Sequence, residues 1–300
     1  MENYRQYFDP RTLAKLRSLQ LRAQRIVEGF VAGLHRSPYR GFSVEFAEHR
    51  EYVPGDDLRY LDWKVFGRTD KFYLKQYEDE TNLIAYVVLD ISESMLYRGP
   101  ESALSKLEYA QCLAAALAWL VLQQQDAVGL VTFDDRVRAN VTPSSSASCL
   151  RRVVEVMDGV DATAKTATGP IFHELAEQWR KRGVVIVLSD LFDDPASLMA
   201  GLKHFRHRQH DVIVLQVLDP AELEFPFTQP TLFRGLEQSP DLVVDPQSLR
   251  RAYLQEIGSF LQSVQRGCRE REMDYCLVRT DEPIDVSLST FLARRMARVK

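Results

Sequence analysis

Three observations in the sequence predict a Rossmann-like α/β fold: a doubly wound, mostly parallel sheet with helices on both faces. Apolar runs of strand length recur at Val87-Val88-Leu89, Val184-Val185-Ile186-Val187-Leu188 and Val212-Ile213-Val214-Leu215. They lack the apolar-polar alternation of a half-exposed strand, so each reads as a parallel strand covered on both sides. Segments of helical period separate them, and the first two runs end on an acid, Asp90 and Asp190. In open α/β sheets ligands bind beyond the carboxyl ends of the strands, so both acids fall where chemistry is expected.

Composition supports a globular chain with a proper core: 300 residues, 45% hydrophobic and 10% aromatic, enough for one large or two modest domains. The 38 basic and 42 acidic residues leave a net charge of -4, which supplies no global field for nucleic acid or anionic lipid. The start, Met1-Glu2-Asn3-Tyr4-Arg5-Gln6, is polar and is not followed by the apolar core of a secretory signal. The longest apolar run, Cys112 to Leu122, is too short to span a bilayer. A cytoplasmic protein without a membrane span is therefore expected. Cys112, Cys149, Cys268 and Cys276 are scattered with no Cys-x-x-Cys, which favours buried free thiols over a zinc site or a disulfide framework.

The first domain expected is 1–80, an N-terminal helix with a small β-rich extension. Leu13, Leu16, Leu19, Ala23, Ile26, Val27, Phe30 and Leu34 keep a helical rhythm that Ser37-Pro38 and Gly41 interrupt. From Gly41 to Glu80 short strands around a Pro54-Gly55 turn fit best, since proline presets the turn and glycine permits positive φ. Arg50, Asp56, Asp57, Arg59, Asp62 and Trp63 in this stretch form a candidate partner surface. The plainer reading is that Trp63 anchors the β-element while Asp57 or Asp62 pairs with Arg59.

The second domain expected is 81–300. After Asp90 a loop through Gly99-Pro100 leads into a helix from about Ala103 to Gln124, apolar nearly all round and so buried. Ala127 to Phe133 reads as a strand, and Arg136 to Val141 as an antiparallel edge strand exposing Arg136, Arg138 and Asn140. Ser144 to Ser148 offers N-caps for a helix to Met157, and Pro170 suits the first turn of a helix ending by Gly183. A helix over 195–208, a strand over 211–219, a peripheral hairpin over 230–245, a helix over 247–272, a last strand over 275–278 and a short C-terminal helix complete the order.

Asp90, Ser92 and Ser94 alternate along the loop after the first strand, so their oxygens can converge. With a distant threonine and Asp190 they supply oxygen-only ligation, which suits Mg²⁺ or Mn²⁺. The competing account is that such residues cap helices and form turns. Two carboxylates at one sheet edge, with the threonine-rich segment 161–170 between their strands, exceed what capping requires.

These residues resemble a von Willebrand factor A-type domain with a metal-ion-dependent adhesion site, whose pattern is Asp-x-Ser-x-Ser, then Thr, then Asp. Asp90, Ser92 and Ser94 match the first part, Thr166 the Thr-x-Thr-Gly loop, and Asp190 the final acid, with Thr163 and Thr168 as rivals to Thr166. The resemblance implies a Mg²⁺ held directly or through water, with a partner's carboxylate completing the shell. Ser189-Asp190-Leu191 stands where Thr-Asp-Gly is commoner, so the loop geometry, not the ligand, is the point of departure. The longer run Arg50-Glu51-Tyr52-x-Pro54-Gly55-Asp56-Asp57-x-Arg59-x-x-Asp62-Trp63, followed by Leu89-Asp90-x-Ser92-x-Ser94-Met95, is similar to bacterial domain-of-unknown-function family 58 proteins. That resemblance implies an accessory or adaptor protein working with a MoxR-type AAA+ ATPase.

Other chemistries find less support. His204-x-x-His207-x-x-His210 is interleaved with Arg206 and Arg208 and reads as a solvated basic helix end. A phosphate-binding glycine loop and a Gly-x-Ser-x-Gly elbow are missing, and an aspartyl-phosphate enzyme built on Asp90 would have Ser92 where a second acid is expected. Binding without catalysis is the expected function. A metal-dependent phosphohydrolase using Asp90 and Asp190 is the alternative, and a structural scaffold with a vestigial metal loop a third.

Overall fold

The computed structural model describes residues 9–15, 19, 21–25, 49–51, 73–75, 83–160, 168–233 and 242–288. The chain divides into two compact units, Met1–Arg36 with Leu83–Lys300, and Ser37–Asn82. In the second unit strand β1 (His49–Glu51) pairs antiparallel with β2 (Tyr73–Lys75), Arg50 lying opposite Leu74.

The larger unit is built on a six-stranded sheet. Its strands are β3 (Ile84–Asp90), β4 (Ala127–Phe133), β5 (Val137–Ser144), β6 (Val184–Ser189), β7 (Asp211–Leu218) and β10 (Asp274–Arg279). A separate antiparallel pair, β8 (Thr231–Phe233) and β9 (Leu242–Val244), is the expected hairpin. The spatial order is β10-β7-β6-β3-β4-β5, with every pairing parallel except β4 with β5. Counted along the sheet's own strands this is 3-2-1-4-5-6, the doubly wound order, and it reverses between β3 and β6.

Alternation along the strands serves two cores. In β3, Ala85, Val87 and Leu89 join one cluster with Leu113 and Leu117 of α2 (Lys106–Gln123) and Val153 of α3 (Ser148–Asp158). Tyr86 and Val88 join the other, with Phe172 and Leu175 of α4 (Thr168–Gln178) and Leu202 and Phe205 of α5 (Pro195–His207). Successive side chains of a strand point to opposite faces, so a central strand covered on both sides must be apolar throughout. A short helix α6 (Pro220–Glu224) follows β7, and Val264 and Cys268 of α7 (Pro246–Glu270) close the second core.

The N-terminal segment, read from the sequence as part of a 1–80 extension, belongs with the sheet. Leu13 of α1 (Pro10–Leu13), Leu19 and Ala23 are buried in the first core, and Arg22 pairs with Glu108 at 2.8 Å. Residues 26–34 of the expected long helix lie outside the described residues. The edge strand β5 exposes Arg138 and Asn140, as alternation predicts, and all four cysteines are free and buried. Among the described residues no helix is long and apolar enough to cross a membrane. Residues 284–288 are helical, and Leu288 is buried; the remainder of the expected C-terminal helix lies outside the described residues.

Candidate functional site

The two strands flanking the reversal in sheet order both deliver an acid to the same edge. Asp90 ends β3, and Asp190 follows the last residue of β6; both are fully buried. Asp90 Oδ1 accepts from the Ser92 amide at 2.9 Å, an Asx-type turn that redirects the chain into a 3₁₀ turn, Glu93–Leu96. Its Oδ2 accepts from Ser189 Oγ at 2.5 Å. The turn sets the buried Ser92 Oγ 3.1 Å from Ser94 Oγ. Asp90, Ser92 and Ser94 therefore present one contiguous group of oxygens.

Burial, and then the nearby charge of Asp190, push the Asp90 carboxyl well above its ordinary range. Its hydrogen-bond partners are neutral, and among the described residues no basic side chain forms an ion pair with it. A cation placed against this carboxylate would reverse the effect.

Asp190 is held differently. Its Oδ2 accepts from Lys106 Nζ at 2.7 Å, its Oδ1 from the Phe192 amide at 3.1 Å, and its carbonyl from Gln216 Nε2 at 2.8 Å. Gln216 is fixed in turn by the Tyr275 hydroxyl at 2.8 Å. Lys106, the first residue of α2, is fully buried and also donates to Glu222 Oε1 at 2.7 Å. Its ammonium lies 4.9 Å from the Phe192 ring centroid. Burial opposes this charge, but the Asp190 and Glu222 carboxylates outweigh it and hold the Lys106 pKa above its ordinary value. On Glu222 burial prevails over the pairing, and the carboxyl titrates above its usual range.

Sequence reading did not single out Lys106. Ser105-Lys106-Leu107-Glu108 opens α2 with a capping box, in which Ser105 Oγ accepts from the Glu108 amide at 3.1 Å and Glu108 returns a bond at 3.0 Å. Helix starts of that kind usually face water. A lysine at the head of an otherwise apolar, buried helix was the available signal.

The loop after β6 turns at Leu191, a fully buried residue with φ 62°, in the left-handed region. Its amide donates to Ser189 Oγ at 2.9 Å, and its carbonyl accepts from the Asp193 amide at 2.7 Å. This is the position where the resembled motif commonly carries glycine. The chain adopts the glycine conformation with a leucine, at a cost of roughly 1–3 kcal/mol that burial and these bonds offset.

The threonine expected to complete the site, Thr166, lies outside the described residues, as does Thr163. Thr168 is buried and committed to Asp193, whose Oδ2 accepts from its hydroxyl at 2.6 Å and its amide at 2.9 Å. Of the candidate partner surface, Asp56, Asp57, Arg59, Asp62 and Trp63 lie outside the described residues, and Arg50 is described only as part of β1. The structure thus assembles Asp90, Ser92 and Ser94, adds Ser189, and places Asp190 beside them with both carboxylate oxygens engaged. This donor set fits a hard divalent cation: it is all oxygen and includes a buried carboxylate without a basic partner among the described residues.

The three histidines of the 204–210 stretch do not converge. His204 turns to Glu177, whereas His210 is fully buried edge-on to the Tyr86 ring at 5.7 Å and near Trp179 and Phe205. Among the described residues, neither His210 ring nitrogen has a partner in bonding geometry. Burial lowers its pKa, outweighing the opposing pull of the Trp179 and Gly183 backbone, and Arg182 adds a smaller push in the same direction as burial. The unfolded chain therefore binds this proton more readily, so stability rises with pH below the ordinary histidine range. The expected outcome is a urea midpoint that falls as pH drops from about 7.5 to about 5.5, with a smaller fall in His210→Phe. Parallel pH dependence in both proteins would remove His210 as the cause.

Sheet order, the acids at its reversal and the hydroxyl turn define an α/β protein of the von Willebrand factor A-like class. Within that class the chain belongs to the family described as protein of unknown function DUF58, whose model matches residues 48–259. It is 26% identical over 292 residues to the uncharacterized protein Rv1480 of Mycobacterium tuberculosis, covering 96% of this chain and 90% of that one. The uncharacterized protein Mb1516 of Mycobacterium bovis matches with the same identity and coverage. Among solved structures, the chain is similar to the conserved hypothetical protein BatB from Bacteroides thetaiotaomicron, at 18% identity and a TM-score of 0.45, over 72% of this chain and 99% of that one. It is also similar to the SpRpn10 VWA domain, at 11% identity and a TM-score of 0.40, over 69% of this chain and 94% of that one.

Proposed function

We propose that this protein is a non-catalytic, metal-dependent protein-binding module, an adaptor or accessory protein that works with a MoxR-type AAA+ ATPase in assembling or maturing a client complex. The observation that carries the reading is the buried Asp90, set beside the paired hydroxyls of Ser92 and Ser94 with no basic partner among the described residues. Charge balance supports a divalent ion. Asp90, Asp190 and Glu222 against the one ammonium of Lys106 leave two negative charges when all are ionised.

Asp90, Ser92 and Ser94 would hold Mg²⁺ or Mn²⁺ directly, Thr166 would complete their set, and Asp190 would act through water because its own oxygens are engaged. When bound, the ion supplies an open position for a Glu or Asp carboxylate of a protein partner. Support for a protein partner comes from the surface next to this loop. Leu96 is 46% exposed two residues after Ser94, and Tyr97, Phe227, Leu232 and Phe233 line a cleft with it. The ATPase in this reading rests on the Arg50 to Trp63 motif.

Calorimetric titration of Mg²⁺ and Mn²⁺ is expected to give saturable binding to the wild type and none to Asp90→Ala. Equal or absent heats in both would overturn the metal site. Affinity purification with and without EDTA tests the adaptor role, the expected result being an AAA+ ATPase that is lost on chelation. Asp90-dependent turnover of phosphomonoesters would instead favour the phosphohydrolase alternative.

A further inference from the structure

Helices α4 and α5 pack side by side at backbone distance. A Cβ on Gly169 would lie 2.7 Å from the Ser197 carbonyl oxygen, and one on Gly201 would lie 2.9 Å from the Gly169 carbonyl oxygen. Residues 169, 173 and 177 follow one edge of α4 at four-residue spacing, and 197, 201 and 204 follow the facing edge of α5, so each successive turn meets its counterpart. Beyond the glycines, this alignment brings the His173 and His204 ring centroids to 4.2 Å. His204 Nε2 lies 2.7 Å from Glu177 Oε1. One ligand atom from each of His173, Glu177 and His204 falls within 4.8 Å of the others. The hydrogen bond from His204, and then Arg208, hold the Glu177 carboxyl below its ordinary value. Arg208 binds Oε2, which leaves Oε1 facing the histidine.

We propose that His173, Glu177 and His204 bind a borderline divalent metal ion, zinc foremost, which cross-links α4 to α5. Two imidazoles and a carboxylate are a recognised zinc donor set, with the remaining position left to water. Zinc to nitrogen or oxygen distances of about 2.0–2.2 Å put tetrahedral ligand atoms roughly 3.3 Å apart. The 2.7 Å contact between His204 and Glu177 therefore opens by several tenths of an ångström as the metal replaces the shared proton. The other ligand atoms, within 4.8 Å of one another, close by side-chain rotation, because all three ligands project from two helices already locked together by Gly169 and Gly201.

Nitrogen donors separate this site from the oxygen group at Asp90, which favours magnesium or manganese. Thiols do not compete: the cysteines are buried, and burial pushes Cys112 and Cys268 up to about 12. His207 is exposed on the same helix and does not belong to the cluster, so it provides the control.

The experiment uses the full chain and Zn²⁺, with calorimetry and thermal unfolding as readouts. Wild type is expected to bind one equivalent and to gain melting temperature as zinc increases. His173→Gln and His204→Gln should each weaken binding on the order of a hundredfold, by loss of a direct ligand. His207→Gln should bind like wild type, and Co²⁺ in place of zinc should give visible ligand-field absorption that His173→Gln abolishes. The site is refuted if zinc neither binds nor stabilises the wild type, or if His173→Gln and His204→Gln bind zinc as the wild type does.

Discussion

Replacing Lys106 with methionine is expected to lower the free energy of unfolding by about 3–5 kcal/mol, the usual cost of stranding buried charges. Methionine fills much of the same volume but leaves the fully buried Asp190 and the largely buried Glu222 without the ammonium that bonds both at 2.7 Å. Two like charges then face each other in a buried site without their shared counterion. Urea unfolding of Lys106→Met beside the triple variant Lys106→Met, Asp190→Asn, Glu222→Gln separates charge from shape. The triple variant should recover much of the loss, since an apolar or neutral set can replace a buried ion pair at little cost. A single-variant loss under about 1 kcal/mol would show that Lys106 is not the structural counterion of the site.

Phe172→Ala is expected to cost a similar 3–5 kcal/mol, by a different route. Phe172 is fully buried between the sheet and α5, with ring centroids 5.5 Å from Phe133 and 5.7 Å from Phe205. Truncation removes the transfer energy of the ring and leaves a void that the helices cannot close, because Gly169 and Gly201 already hold them at contact. The measurement is the urea midpoint with an unchanged slope. Phe172→Leu should recover part of the loss. A cost of less than about 1.5 kcal/mol would mean that the site collapses around the smaller side chain.

The sheet was legible because its central strands are apolar on both faces, a pattern that only a covered parallel strand requires. Boundaries were less legible wherever a distant contact decides them. The helix expected to run to Arg182 stops at Gln178, where Trp179 instead stacks on Tyr86 with ring centroids 4.1 Å apart. The serines at 144–148 do not cap α3, whose N-cap is Ala147, because Ser144, Ser146 and Ser148 hydrogen-bond to one another.

The candidate site was readable in its local half and opaque in its long-range half. Asp90, Ser92 and Ser94 sit within one turn, so their spacing announces the oxygen group. Lys106 reaches Asp190 and Glu222 across 84 and 116 residues of chain, and His204 meets Glu177 across 27. Such pairings exist only once strand order and helix packing are set. Spacing along the chain offered a triplet of histidines, read as a basic helix end, two of which, His207 and His210, contribute nothing to the cluster with Glu177.

Leu191 links the site to the core through substitution as well as structure. Its backbone occupies the left-handed region that favours glycine, while its side chain is fully buried in the second core. Exchange for glycine relaxes the turn but forfeits roughly 1.5–3 kcal/mol of apolar burial, and exchange for a larger apolar residue keeps the strain and overfills the core. Either route demands compensation from neighbours such as Leu198 or Val187, which share that core. The turn beside Asp190 can therefore drift over evolutionary time only in step with the packing beneath it, which ties the shape of the binding edge to the history of the interior.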